Sequence, residues 1–127
     1  MDLDKKYESA LADYNQGRLS EAEHALKEIV EVQGDYTDAL YLLAEISYHS
    51  GYLDDALLNL RKALQYSPGN AEAHVNIGFI LQGKNQLDEA IEFYEKAICL
   101  NSELLEAYIN LGNIFMEKLF LLTNIFS

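Results

Sequence analysis

Three histidines, His24, His49 and His74, recur every 25 residues, and a single cysteine, Cys99, follows them. Imidazole and thiolate are the side chains best suited to hold zinc or to act as base and nucleophile near neutral pH. Such chemistry needs the groups to converge, so the spacing must match the period of the structure that carries them. The 21 Asp and Glu residues could serve as acids or bases only where an apolar setting raises a carboxyl pKa, and no pair is isolated in one. There is no Gly-rich loop of the kind that cradles phosphates.

The charge balance narrows the partners. Nine Lys and Arg against 21 Asp and Glu give a net charge of −12 over 127 residues. That field repels phosphate backbones and anionic headgroups, so neither nucleic acid nor a membrane surface is an expected partner. The lone Cys99 cannot form an intramolecular disulfide, and a cytoplasmic location is expected. The start, Met1-Asp2-Leu3-Asp4-Lys5-Lys6, is acidic and is not followed by an apolar run, unlike a secretory signal. The most apolar stretch, Ile114 to Phe126, is interrupted by Glu117 and Lys118 and is shorter than the ~20 residues of a bilayer span.

The elements that must position these residues repeat with a period of 34. Ala22, Ala56 and Ala90 are spaced by it, as are Leu19, Leu53 and Leu87, and so are Ala44, Gly78 and Gly112. Residues 37–70 and 71–104 share seven identities: Ala39/Ala73, Ile46/Ile80, Leu53/Leu87, Asp54/Asp88, Ala56/Ala90, Lys62/Lys96 and Ala63/Ala97. Apolar spacing inside each period is helical, as in Leu53, Ala56, Leu57, Leu60 and Ala63. Breaks at Gly17, Gly51 and Asn85 divide each period into two helices, with Ser20, Asp54 and Asp88 as candidate N-caps. Seven helices are predicted, over 4–16, 20–33, 36–50, 54–66, 70–83, 88–100 and 103–122. Ala10, Ala44, Gly78 and Gly112 on first helices, and Ala22, Ala56 and Ala90 on second helices, would let paired helices approach to ~8–10 Å. One hairpin cannot bury its apolar face alone, so units must stack. The histidine spacing of 25 is out of phase with 34, so the three should lie in different contexts; no metal site, cofactor or catalytic residue is expected, and Cys99 reads as a packed or part-exposed thiol.

The segments Ala73-His74-x-x-Ile77-Gly78-x-x-Leu81 and Ala90-x-x-x-Tyr94-x-x-Ala97 carry a resemblance to the tetratricopeptide repeat family. It recurs as Ala107-Tyr108-x-x-Leu111-Gly112-x-x-Phe115, and as Leu40-x-x-Leu43-Ala44 followed by Ala56-x-x-x-Leu60-x-x-Ala63 and Pro68. The first repeat departs more, with Lys6, Ser9 and Gly34 at positions where an aromatic, Leu and Pro are usual. The resemblance implies an all-α protein, a right-handed superhelix of antiparallel helix pairs in one domain over 1–127. Its repeats would be about 3–36, 37–70 and 71–104, with a partial fourth over 105–127. It also implies a non-enzymatic module whose first helices line a concave groove for peptide segments. The run Gly17 to Glu23, with Asp38 to Leu43, further resembles arrays preceding bacterial glycosyltransferases related to the O-linked N-acetylglucosamine transferases. On that alternative the chain is a substrate-presenting arm of a larger enzyme.

With stacking at 34 residues, inner-face ladders would pair Tyr7 with Tyr41, Tyr14 with Tyr48, and Asn76 with Asn110. Leu11, Glu45, Phe79 and Asn113 lie between them, and Leu42 interrupts the asparagines. An asparagine offers a donor and an acceptor to a bound main chain, and tyrosine is favoured at interfaces. Asp38, Glu45, Glu72 and Glu106 on or beside this face favour neutral or basic partners. A clamp for a peptide C-terminal carboxylate would need Lys and Arg there and is not expected. The C-terminal end departs from the pattern: Leu119, Phe120, Leu121, Leu122, Ile125 and Phe126 replace a polar capping helix. Burial of six such side chains is worth on the order of 10 kcal/mol. Two outcomes are open: homo-oligomerisation through Leu119, Phe120, Leu122, Ile125 and Phe126, or a truncated or altered end of a longer protein.

Overall fold

A computed structural model describes residues 2–126, and the side chains of 2–125. The described residues form seven helices and no strand: α1 (Leu3–Asn15), α2 (Leu19–Val32), α3 (Thr37–His49), α4 (Leu53–Tyr66), α5 (Ala71–Gly83), α6 (Leu87–Leu100) and α7 (Leu105–Phe126). First helices begin at Leu3, Thr37, Ala71 and Leu105, and second helices at Leu19, Leu53 and Leu87, so the 34-residue period is one of backbone structure.

The turn inside each hairpin is built the same way three times. Gly17, Gly51 and Asn85 adopt φ of 81°, 85° and 63°, the left-handed region that glycine and asparagine tolerate. Each turn is closed by a pair of backbone bonds. Arg18 N donates to Asp13 O at 2.8 Å and Gly17 N to Tyr14 O at 3.0 Å. Tyr52 N donates to Ser47 O and Gly51 N to Tyr48 O; Gln86 N donates to Leu81 O and Asn85 N to Gln82 O. This double closure satisfies carbonyls that a helix end leaves orphaned and reverses the chain without a loop. It also corrects the expected caps. The N-cap positions are Arg18, Tyr52 and Gln86, without a side-chain cap bond, and Ser20, Asp54 and Asp88 lie inside the first turns. The turn delivers the chain straight into the next helix, two residues ahead of the expected caps. First helices α1 and α5 do have side-chain caps, Asp2 and Asn70.

The chain divides into two compact units, Met1–Pro68 and Gly69–Ser127. In the first, α2 packs on both α1 and α3, and α3 on α4. Its core joins Ala10, Ala22, Leu26, Ile29, Ala39, Leu42, Leu43 and Ile46. Leu42 is 5% exposed and part of this core, so Asn76 and Asn110 have no asparagine counterpart on α3. In the second unit α6 packs between α5 and α7, and α5 also touches α7.

The small residues do the work expected of them, with one exception. A Cβ added to Gly78 would stand 2.8 Å from Tyr94 Cε1, so the ring of α6 lies directly on the α5 backbone. Tyr94 is fully buried, and its hydroxyl donates to Gln82 Oε1 at 2.8 Å. At Gly112 a Cβ would meet nothing within 4 Å. The expectation of close packing there is corrected: α7 runs unbroken to Phe126, and among the described residues no helix lies over Gly112.

Gly78→Ala is expected to destabilise the protein by about 1–3 kcal/mol through overpacking against an immobilised ring. Gly112→Ala should raise stability by about 0.5–1 kcal/mol, since it restores helix propensity in open space. Urea midpoints of the two variants check both signs.

Candidate functional site

The tyrosines and acids singled out from sequence meet on α1 and α3 of the first unit. Tyr7, Leu11 and Tyr14 recur every three or four residues along α1, and each is half-buried against the core of that unit. Across from them α3 presents Asp38, Tyr41, Glu45 and Tyr48, again at helical spacing. The Glu45 carboxylate of α3 stands near enough to the Tyr14 hydroxyl of α1 to raise it, so two of the predicted site residues come together from different helices. The aromatic neighbour of Tyr7 is Tyr36, at a centroid distance of 5.7 Å and an interplanar angle of 41°. Tyr41 and Tyr48 are half-buried, and Tyr48 meets the His49 ring edge-on at 5.4 Å. Glu45 is exposed and lies 3.9 Å from His49.

Tyr36 and Asp4 were not identified in the sequence as site residues. The Tyr36 hydroxyl donates to Asp4 Oδ1 at 2.6 Å. Tyr36 occupies the place in the period held by the capping residues Asp2 and Asn70, yet makes no cap bond. A large aromatic at a capping position was the available signal, since a side chain that cannot cap is free to reach another helix.

Charge on this face is of one sign. Burial, then Asp38 and Glu45, hold the Tyr7 hydroxyl above its ordinary range. Burial, then the neighbouring Glu45 carboxylate, raise Tyr14. The hydrogen bond to Asp4 is the largest of the causes that push Tyr36 up to about 12. The charges that shift these three phenols are all anionic: the Asp4, Asp38 and Glu45 carboxylates and, for Tyr36, the Tyr7 phenolate as well. The cation Lys6 is engaged on the other side of α1, with Glu28 of α2, and lowers the Glu28 carboxyl.

In the second unit Asn76 and Phe79 of α5 and Asn113 of α7 are exposed. Asn110 is placed differently. It is half-buried, with Nδ2 enclosed beside the Tyr94 hydroxyl but without a well-formed bond of its own. Burial, then Glu106, push the Tyr94 hydroxyl far above its ordinary range, and Asn110 works against that shift. Asn76 and Asn113 are thus open to a ligand, whereas the Asn110 amide nitrogen faces the hairpin interior.

The groups that could do chemistry lie apart. Exposed His24 sits beside Glu28 on α2, His49 beside Glu45, and His74 is buried on α5 against Phe93 of α6 at 5.8 Å. Cys99 is exposed. Among the described residues no three His, Cys, Asp or Glu side chains stand where they could hold a metal ion. No helix of the described residues is long and apolar enough to cross a membrane.

Two family models, both described as tetratricopeptide repeat, match residues 7–58 and 71–104. No curated protein sequence matches the chain. Among solved structures, a crystal structure of MamA superposes with a TM-score of 0.86 at 22% identity, over 92% of this chain and 68% of that one. MamA from Desulfovibrio magneticus RS-1, residues 41 to the end, gives 0.82 at 23% identity, over 92% and 66%. The first repeat domain of Spaghetti (RPAP3), bound to the HSP90 peptide SRMEEVD, gives 0.83 at 17% identity, over 91% of each chain. These likenesses are of fold.

A tyrosinate titration read in the ultraviolet is expected to show a late step near pH 12 that Tyr36→Phe removes and Asp4→Asn moves down toward 10. Because the folded value lies above the ordinary 10.0, the contribution of Tyr36 to stability is whole below about pH 10 and is lost as pH rises to about 12. Circular dichroism over that window should show a smaller alkaline loss of helix in Tyr36→Phe than in the parent.

Proposed function

Since the chain belongs to the tetratricopeptide repeat family, a family of protein-interaction modules, we propose that it is a non-catalytic peptide-binding scaffold. Its receiving surface is the α1 and α3 face of the Met1–Pro68 unit. The observation that carries this reading is the set of half-buried phenols, Tyr7, Tyr14 and Tyr36, set among Asp4, Asp38 and Glu45. Phenols supply flat contact area and a polar tip at little conformational cost, and they are enriched where proteins bind one another. Carboxylates beside them attract cations and repel anions, and the flat faces of the rings can take a guanidinium or ammonium. The ligand is therefore a neutral or basic segment. On the second unit, exposed Asn76 and Asn113 provide a separate strip that can hold main-chain amides and carbonyls.

The peptide bound to the RPAP3 domain, SRMEEVD, is acidic. A face built on Asp4, Asp38 and Glu45 repels such a ligand, so fold likeness and ligand preference part company here. With a net charge of −12, nucleic acid and anionic membranes remain disfavoured, and the cytosol is a setting in which the exposed Cys99 thiol stays reduced. The alternative of a substrate-presenting arm for a glycosyltransferase-like enzyme draws no support from the family models or from the similar structures.

Fluorescence anisotropy with a labelled Lys- and Arg-rich peptide and with SRMEEVD separates the possibilities. The basic peptide is expected to bind and to weaken as salt is raised. Glu45→Gln together with Asp38→Asn should weaken it roughly 3–10-fold, the scale of partly screened charge pairs. Preference for SRMEEVD, or equal binding by the double variant, overturns the reading.

A further inference from the structure

The second unit holds a helix whose apolar surface is open. Taken 34 residues apart, α7 repeats α5, but what is closed on α5 is uncovered on α7. His74 and Gly78 of α5 lie under Phe93 and Tyr94 of α6. Their counterparts Tyr108 and Gly112 are exposed, although Ala107 and Ile114, on the side toward α6, are buried. Beyond Gly112 the helix continues for four more turns with Leu119, Phe120, Leu121, Leu122 and Ile125 all more than half exposed. Phe126, expected to join them, has its side chain outside the described residues.

The exposed residues are ordered. Leu105, Tyr108, Gly112, Phe115, Leu119 and Leu122 follow one another at intervals of three and four, the seam that one α-helix offers to another of like length. Full antiparallel overlap of two such helices sets Leu119 of one opposite Gly112 of the other, and Tyr108 opposite Leu122 and Thr123. A knob thus meets a notch twice, and a single sequence supplies both halves, as a two-fold interface requires. Charge points to the same occupant. The chain carries −12, yet α7 holds only Glu106, Glu117 and Lys118, so this is a surface on which two copies can meet with little repulsion. Leu105, Tyr108, Phe115, Leu119 and Leu122 line the seam, each about half exposed or more, with Ile109 and Met116 on its flank, so one face of α7 is continuously apolar along the helix.

We propose that the exposed seam of α7 is a homodimer interface, in which two copies pair these helices antiparallel with Leu119 seated over Gly112. It uses a helix apart from the tyrosine face of the first unit and does not depend on the peptide-binding reading.

Sedimentation velocity on the full chain, from low to high micromolar concentration, is expected to show a species of twice 14.4 kDa. Leu119→Glu, at a position exposed in the single chain, should raise the dissociation constant at least tenfold with the helix signal unchanged. In a Cys99→Ser background, the pair Gly112→Cys and Leu119→Cys should form an interchain disulfide, and Gly112→Cys with Ile125→Cys should not. A monomer throughout overturns the proposal and leaves the seam to a helix of another protein. A dimer indifferent to Leu119→Glu, or an open series of larger species, overturns it as well.

Discussion

The fold depends on how closely two antiparallel helices can approach, and a missing side chain sets that distance. At Gly78 the Tyr94 ring rests where a Cβ would stand, 2.8 Å away. Ala22, Ala56 and Ala90 are fully buried at corresponding places on the second helices. Close approach fixes the register of each hairpin, and register fixes which residues of the first helix point away from the second. The same turn, with Gly17, Gly51 or Asn85 in the left-handed region, then repeats that choice every period. Tyr7, Tyr14 and Glu45 come together because the Gly17 turn folds α2 back on α1 and α3 then packs on the same α2.

On that frame the surface chemistry is free to vary. A domain of similar fold holds an acidic peptide, while this chain sets carboxylates around its phenols. The helix pairs impose spacing on the residues they present but say nothing about their charge. Tyr36 illustrates the freedom: placed where Asp2 and Asn70 cap their helices, it gives up the cap and bonds Asp4 of the neighbouring first helix.

Much of this was legible in the sequence, because repetition converts one weak helical pattern into several concordant ones. Element starts fall 34 residues apart, and the three left-handed residues were marked by Gly and Asn. What could not be read were contacts that break the period. Leu42 occupies an asparagine position of later repeats, yet it turns into the core of the first unit. Asn110 matches Asn76 by number, but its amide nitrogen is enclosed beside Tyr94, a residue of the preceding second helix. Gly112 carries the signature of close packing and packs on nothing, because the pattern of a first helix says only what it can receive. The caps at Ser20, Asp54 and Asp88 were misplaced since the turn geometry, not a side chain, starts those helices.

Burial of Tyr94 over a bare glycine is the point at which packing, register and exposed surface can all be checked together. Isotope-edited nuclear Overhauser spectra of the full chain report it directly. Strong cross-peaks from the Tyr94 ring protons to the Gly78 α-protons, which should also be shifted upfield by the ring, are the predicted result. Their absence, with Tyr94 ring shifts like those of a solvated tyrosine, would contradict the hairpin register from which everything else here is built.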